Sequence, residues 1–338
     1  MSQEATSQFN IPVCLFVFKR LEPVKMIFDV IKQIKPPKMY VFADGPRPQV
    51  DGETEKVSEV REYVSKVVDW DCEKAFYFFD ENKGCDRNIV EGLNTFFSRE
   101  DRGIIFEDDA VPEKEFFPYC ENLLNKYQND RRIQYIAGFN AIGDNNVIRE
   151  DYSFGKTVPL SGAFATWADR WNNCDFTLKK WPEYKKSNLL KSILYTSELR
   201  KEYTNVLDEL FIGKVAYWDY KFDFDMFLKE RLAIVPRANI ATSYGFMEGA
   251  FHIQDDSVAK RLFPLMTKGK NLPVIPLKEP TIVERNTDYD KLRQKKMLEV
   301  KGSYLERKCK YIFRATKDIG YRIIPKNIWN SMRKLKKK

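Results

Sequence analysis

Short apolar runs alternate with amphipathic stretches over the first half of the chain. Val and Phe crowd the run 11–18, and the stretch 23–34 places its apolar residues at helical spacing. Runs of the first kind are typical of buried strands, and spacing of the second kind is typical of helices that pack one face on a core. The pattern predicts strands at 11–18, 39–43, 75–79, 103–106 and 133–137, and helices at 23–34, 51–68, 87–98 and 116–127.

This alternation predicts an α/β fold. The connections between strands are too long for hairpins, so we expect a mainly parallel sheet with helices on both faces. Ligands of such sheets bind beyond the carboxyl ends of the strands. The later pattern is less regular and predicts a loop-rich stretch at 153–167, helices within 187–212 and 223–231, a strand at 232–236 and a loop at 243–256.

Pro-rich, polar residues between 271 and 280 indicate an exit from the folded domain. We therefore place a boundary near Lys268. The predicted organisation is one α/β domain over 1–268, a linker or extension over 269–300, and a basic amphipathic helical tail over 301–338.

The positive net charge of the chain belongs to its carboxyl terminus. The 338 residues carry a net charge of +8, but the segment 301–338 holds thirteen Lys and Arg against two acids, which leaves the other residues at −3. A slightly acidic body is a poor candidate for binding nucleic acid. The basic, aromatic-containing tail suits an anionic membrane surface, and equally a helix packed on the domain.

Cysteine usage and the amino terminus bear on the compartment. The six cysteines form no CxxC pair, and a chain of this length and 43% hydrophobic content can build a core without disulfides. The first ten residues lack the features of a signal peptide, and the apolar run that follows is far below the roughly 20 residues that span a bilayer. We expect a cytoplasmic protein, with peripheral attachment to the inner face of the plasma membrane as a further option.

Carboxylates follow two of the predicted strands. Glu107, Asp108 and Asp109 come directly after the strand at 103–106, and Asp44 follows the strand at 39–43. Adjacent acids repel each other and are tolerated when a cation such as Mg²⁺ or Mn²⁺ neutralises them; an acidic turn before a helix is an equal alternative. Asp44 could accept hydrogen bonds from a base or ribose, although Asp-Gly-Pro is also a common turn.

Four further stretches carry candidate chemistry. Lys83 and Arg87 flank a glycine turn that opens a helix, which suits a diphosphate, or simply a helix start with surface charges. Asp219 lies among aromatic residues that would desolvate it, as a general base requires. The other candidates combine small, aromatic and ligating side chains, for which core packing is the alternative: Gly162, Trp167, Trp218, Glu248 and the only histidine, His252.

Taken in order, these motifs resemble the nucleotide-sugar-dependent glycosyltransferases of the GT-A fold. The resemblance covers about residues 11–255 and is closest to a bacterial family-2-like group, with similarity to N-acetylglucosaminyltransferase I. It implies a Rossmann-like GT-A sheet, a nucleotide-sugar donor, Mn²⁺ or Mg²⁺ as cofactor and a glycan or lipid-linked glycan acceptor. The implied role is bacterial surface glycan assembly.

The resemblance also implies a role for each matching residue. Asp109 and His252 would hold the metal, and Asp219 would be the base of an inverting transfer. Asp108 would face the ribose or the donor sugar. The implied donor-binding residues are Phe18, Arg20, Asp44, Lys83, Arg87, Glu107 and Asp108, and the implied acceptor or sugar contacts are Gly162, Trp167, Trp218 and Glu248.

Two other functions remain open at this point. A nucleotidyltransferase that makes sugar nucleotides would require a glycine-rich basic loop after the first strand, and residues 18–23 have the cations without a glycine. A non-catalytic membrane- or polyanion-binding protein would depend on the tail, but would leave the acids at successive strand ends without a role.

Overall fold

A computed structural model describes residues 9–143, 145–160, 162–245 and 260–301, and it confirms the α/β fold. Eight strands form one sheet in the order β3-β2-β1-β4-β8-β6-β9-β7. Of these, β7 and β8 run opposite to the other six, and β5 and β10 form a separate antiparallel pair. The strands are β1 (Val13–Val17), β2 (Lys38–Ala43), β3 (Glu73–Phe78), β4 (Arg102–Glu107), β5 (Ala110–Pro112), β6 (Ile133–Ala137), β7 (Tyr152–Gly155), β8 (Ala163–Trp167), β9 (Leu232–Pro236) and β10 (Ala241–Ser243).

The longer predicted helices are present, with ends shifted by a few residues. The region predicted as helical over 187–212 divides into two helices, and the next helix begins before the predicted residue 223. The helices are α1 (Leu21–Ile34), α2 (Glu53–Val67), α3 (Cys85–Phe97), α4 (Phe116–Lys126), α5 (Ala168–Trp171), α6 (Trp181–Tyr184), α7 (Leu189–Ile193), α8 (Ser197–Phe211), α9 (Trp218–Leu228) and α10 (Thr287–Lys301).

Both faces of the sheet are covered because successive strand residues point to opposite sides. On one side, Leu15 of β1 joins a buried cluster with residues of α1, α2 and α4. On the other side, Phe16 faces α3, whose Gly92 lies so close that an added Cβ would be 2.5 Å from the ring. The strands are therefore buried on both faces, as their continuous apolar runs require.

The stretch 153–167 is not the predicted loop. It contains β7 and β8, and β8 runs antiparallel to β4, with Ala163 opposite Phe106 and Trp167 opposite Arg102. The first residue of β8 therefore lies at the carboxyl end of β4, and the last lies at the opposite edge of the sheet. The reversed direction could not be read from the pattern, because a short buried strand has the same composition in either direction.

The predicted linker also differs from the structure. Residues up to Lys296 belong to one compact unit. Within it, the Asn286 amide donates to the Phe154 carbonyl (2.8 Å), and the Tyr289 hydroxyl donates to the Asn140 carbonyl (2.9 Å). The segment 269–296 thus packs against the sheet through hydrogen bonds and through scattered buried side chains such as Leu277 and Tyr289, which leave no apolar periodicity in the sequence.

Residues 302–338 lie outside the described ranges, so the basic tail and its membrane contact stay predictions. Within the part of the chain that the structure describes, every helix is too short or too polar to cross a bilayer.

Asp290 fixes the segment 269–296 to the loop after β7. Its fully buried carboxylate accepts hydrogen bonds from the amides of Lys156 and Thr157 (3.0 and 2.9 Å) and from the Thr157 hydroxyl (2.9 Å). The guanidinium of Arg285 donates to it at 2.5 Å. One buried carboxylate therefore holds two distant parts of the chain together.

We predict that Asp290→Asn lowers the free energy of unfolding by about 3 kcal/mol, because it leaves a guanidinium and amide donors without a charged acceptor. Urea denaturation followed by circular dichroism measures this change. The matched control is Asp288→Asn on the same helix, where the side chain is 78% exposed and its lysine partner is 3.8 Å away. Equal stability of the two variants would contradict the anchoring role.

Candidate active site

A cavity of about 210 Å³ opens at the carboxyl ends of β1, β2 and β4. The acids after β4 line it together with residues that follow β1 and β2, because parallel strands end at the same edge of a sheet. The predicted base, Asp219, is not among the residues that line the cavity. Of the predicted site residues, those that line the cavity are Phe18, Arg20, Asp44, Glu107, Asp108 and Asp109.

Arg20 joins the ends of β1 and β4. Its guanidinium donates to Oδ1 of Asp108 through Nε (3.1 Å) and Nη2 (2.5 Å), and to Oδ2 of Asp109 (3.2 Å). The amide of Phe18 donates to the other oxygen of Asp108 (3.2 Å). Burial opposes the charge of Arg20, but the two carboxylates outweigh it and raise the pKa of the guanidinium. Asp108 is thus mainly a buried structural partner of Arg20.

Asp109 is the more accessible of the two acids that Arg20 binds, with 24% of its side chain exposed against 8% for Asp108. Its Oδ1 accepts no hydrogen bond from the described residues. Two glycines leave room for it: an added Cβ would lie 2.4 Å from Oδ2 at Gly245 and 3.2 Å from Oδ1 at Gly162. The carboxylate therefore has one oxygen available to a ligand, in a space that side chains at these two positions would fill.

Glu107 shows that negative charge is in excess at this site. Burial and the charges of Asp109, Asp219 and Asp108 together raise the pKa of its carboxyl to about 8, against the opposing effect of Arg20. One guanidinium does not balance the acids around it. The site therefore favours the arrival of a cation or a proton.

Asp44 is placed at the cavity but is not free to bind a ligand. Its Oδ1 accepts from the amides of Gly45 (2.9 Å) and Lys83 (2.7 Å), and its Oδ2 accepts from the amide of Gly84 (3.0 Å) and the side chain of Asn82 (3.1 Å). A carboxylate offers about four acceptor positions. The predicted contact with a base or ribose is therefore replaced by a structural role, since Asp44 holds the turn that precedes α3.

Lys83 and Arg87 do not line the cavity, contrary to the diphosphate contact expected for them. Both side chains pair with Glu91, at 2.7 Å and 2.6 Å. The ammonium of Lys83 also lies 3.6 Å from the centre of the Phe79 ring. The helical spacing of Arg87 and Glu91 explains this outcome, because residues four apart share one face of a helix.

The two tryptophans predicted to contact a sugar are core residues. Trp167 is 2% exposed, donates from Nε1 to the Leu124 carbonyl (3.0 Å), and lies at the amino end of β4 because β8 is reversed. Trp218 is 5% exposed and packs on Phe164 and Trp171. Neither ring is available as a platform, whereas Gly162 does reach the acids: its carbonyl accepts from the Glu107 amide (2.7 Å).

Asp219 lies in the first turn of α9. It is near enough to Glu107 for its charge to raise the pKa of that carboxyl. Burial and the charge of Asp86 together raise the pKa of its carboxyl to about 6, against the effects of backbone amide donors and of Lys221. Lys221 of the same helix pairs with Asp86 of α3 at 3.0 Å. A carboxylate with this pKa is ionised at neutral pH and still accepts a proton readily.

The other predicted metal ligand, His252, and the predicted sugar contact Glu248 lie outside the described residues. Among the residues that are described, no three His, Cys, Asp or Glu side chains are grouped to hold a metal. Mg²⁺ and Mn²⁺ are commonly held by one or two carboxylates plus phosphate oxygens of a ligand. The donor chemistry of Asp109 and the excess negative charge at Glu107 fit that kind of site.

Residues that the sequence analysis did not select also line the cavity. Lys19 and Arg47 both pair with Glu53 (2.7 and 2.6 Å), a carboxylate only 1% exposed whose pKa is lowered by its hydrogen bonds to Arg47 and Lys19. Asn88 of α3 is a further lining residue. Arg47 could have been selected from the sequence, because it directly follows the Asp44-Gly45-Pro46 turn. No motif in the sequence indicates a role for Glu53 or Asn88.

No protein-family model matches the chain, and no curated protein matches its sequence. Partial structural likeness is found to UDP-glucose pyrophosphorylase bound to UDP-glucose (9% identity, 67% of this chain and 90% of that one, TM-score 0.33) and to its apo form (12%, 67% and 90%, 0.30). A Bacillus anthracis protein described as a glucose-1-phosphate thymidylyltransferase is 11% identical, over 60% of this chain and 84% of that one, with a TM-score of 0.27. At these TM-scores the likeness does not decide an activity.

We predict that Glu107→Gln changes how stability depends on pH. In the folded chain Glu107 stays protonated up to about pH 8, whereas in the unfolded chain its carboxyl has the ordinary pKa of about 4.5. The folded state therefore binds more protons in this window, so its stability falls as pH rises from about 4.5 to about 8 and levels off above.

The Gln variant lacks this fall, which is on the order of 2–4 kcal/mol. Urea denaturation at pH 5 and pH 8 in EDTA measures it, with Glu55→Gln at an exposed site of α2 as the control. A constant difference between Glu107→Gln and the wild type at the two pH values would contradict the raised pKa.

Proposed function

We propose that this chain is a glycosyltransferase that moves a sugar from a nucleotide-diphosphate donor to an acceptor hydroxyl and requires Mn²⁺ or Mg²⁺. The observation that carries this proposal is the meeting of Glu107, Asp108 and Asp109 with Phe18 and Arg20 in one cavity. The Asp108 and Asp109 carboxylates share a single guanidinium, so a cation between them and an anionic diphosphate stabilises both.

Asp109 is the described residue that would hold the cation, through the oxygen that no described residue uses. His252 is the second ligand expected from the resemblance. A bound divalent cation offsets the negative charge that builds on the departing diphosphate. Arg20 keeps Asp109 and Asp108 in place during this process, since it bonds to both.

Asp219 acts as the general base. Its carboxylate takes the proton of the acceptor hydroxyl while the hydroxyl oxygen bonds to the anomeric carbon and the bond to the diphosphate oxygen breaks. The attack comes from the face opposite the leaving group and inverts the anomeric centre. The pKa of about 6 supports this role. The acceptor, a glycan or lipid-linked glycan, follows from the resemblance alone.

Nucleotidyl transfer from a nucleoside triphosphate to a sugar 1-phosphate is the second candidate, and it is the activity named for the three similar structures. A triphosphate site would need free cations after the first strand. Here β1 ends at Val17 and α1 begins at Leu21. Lys19 is paired with Glu53, and Arg20 is paired with Asp108 and Asp109. These contacts favour glycosyl transfer.

Two parallel incubations of the full chain with Mn²⁺ separate the candidates. One contains UDP-, GDP-, CMP- or dTDP-sugars without acceptor, and the other contains nucleoside triphosphates with sugar 1-phosphates. We expect slow release of free sugar and nucleotide in the first and no pyrophosphate in the second. Pyrophosphate formation would assign nucleotidyl transfer instead, and Asp109→Asn, which lacks the metal-binding carboxylate, should show neither product.

We predict that Asp219→Asn lowers turnover by about 10²–10⁴-fold, the usual contribution of a general base. Donor affinity, measured by calorimetry, should change little, because the base contacts the acceptor. In the wild type, kcat/KM should rise with pH through about 6, where Asp219 ionises. Asp29→Asn on the exposed face of α1 is the control, and an unchanged pH profile in Asp219→Asn would exclude the role.

A further inference from the structure

Asn88 is a buried amide with no hydrogen-bond partner for its side chain among the described residues. It lies in the first turn of α3, is 5% exposed and lines the cavity. Its backbone amide donates to the Gly84 carbonyl (2.9 Å), as helix geometry requires, but its Oδ1 is buried without any donor. A buried carbonyl in this state destabilises the protein unless something else supplies a donor.

Apolar side chains lie near Asn88. Phe16 and Ile89 line the same cavity. The Phe16 ring stacks on Phe42 with centroids 5.2 Å apart and an interplanar angle of 18°. Gly92, one helical turn after Asn88, allows α3 to approach this ring closely. The carboxamide therefore shares this part of the cavity with apolar side chains, which suits an uncharged part of a ligand better than its phosphates.

The unsatisfied atom also restricts which part of a nucleotide sugar can lie there. A diphosphate offers acceptors only and cannot satisfy a carbonyl oxygen, whereas a nucleobase offers N–H donors beside carbonyl or ring-nitrogen acceptors. A carboxamide matches such a pair with two hydrogen bonds. Asp44, the residue expected to read the nucleoside, already accepts four hydrogen bonds from its own turn.

We infer that Asn88 reads the base of the donor nucleotide: Oδ1 accepts from an N–H on the edge of the base, and Nδ2 donates to the neighbouring acceptor. Asn88 is thus the specificity-determining residue of the site. This inference rests on the proposed binding of a nucleotide donor, and it assigns the base to the part of the cavity formed by α3 and Phe16.

Calorimetric titration of the full chain with UDP, dTDP, GDP, ADP and CDP in MnCl₂ tests this role. The wild type should prefer one base. Asn88→Leu should weaken binding of the preferred diphosphate by about tenfold to a hundredfold and bring the affinities for the five close together. Asn122→Leu is the matched control, because Asn122 on α4 also has a buried, unpartnered Oδ1 and does not line the cavity.

A second measurement needs no variant. The preferred diphosphate with its base N–H methylated should bind the wild type about as weakly as the unmodified compound binds Asn88→Leu. Full binding of the methylated compound, an unchanged preference in Asn88→Leu, or a loss that follows the ribose hydroxyls instead of the base would each overturn the role of Asn88. If the wild type binds none of the diphosphates, the donor assignment fails, and the role of Asn88 fails with it.

Discussion

The guanidinium of Arg20 is the group on which the arrangement of the site depends. Two neighbouring carboxylates at the end of β4 would repel each other and any anionic ligand, and Arg20 bonds to both of them from the end of β1. Because β1 and β4 are adjacent parallel strands, this ion pair also holds together the two strand ends that form the cavity. Both carboxylate oxygens of Asp108 accept hydrogen bonds, from Arg20 and from the Phe18 amide. Asp109 is therefore the acid with an oxygen that no described residue binds. The division of roles between two adjacent acids thus follows from the reach of a single side chain.

The remaining charges form a second, separate arrangement at the other side of the cavity. Lys19 and Arg47 share the buried Glu53, so neither cation neutralises the acids after β4. The result is one group of acids, Asp108 and Asp109, around Arg20, and a second group in which the cations lie beside the Phe18 ring, at 5.5 Å and 5.9 Å from its centre. A ligand that has an anionic diphosphate, an aromatic base and a bound metal cation would match this separation of charge. The proposed nucleotide-sugar donor has these parts.

Local patterns predicted the fold and the acids, and failed where distant contacts decide the outcome. The position of Asp109 was predictable because an apolar strand followed by acids places them at the ligand edge of a parallel sheet. Trp167 could not be placed, since its environment depends on the reversed direction of β8. The role of Asp44 changed because backbone amides of a turn about forty residues away bind it. Asn88 was missed because only the structure shows that its side chain lacks a partner. Motifs thus identify the residue types, and tertiary contacts determine which of them remain available.

The segment predicted as a linker takes part in building the site at a distance. Asp290 binds the amides of Lys156 and Thr157, and these residues begin the connection from β7 to Gly162. Gly162 in turn accepts a hydrogen bond from Glu107 and lies against Asp109. Hydrogen bonds hold the described residues near both ends of this connection, and the glycine lies beside Asp109 without a side chain that would fill the space there. The carboxyl-terminal segment therefore fixes the loop after β7, and a domain boundary at Lys268 would separate it from this contact.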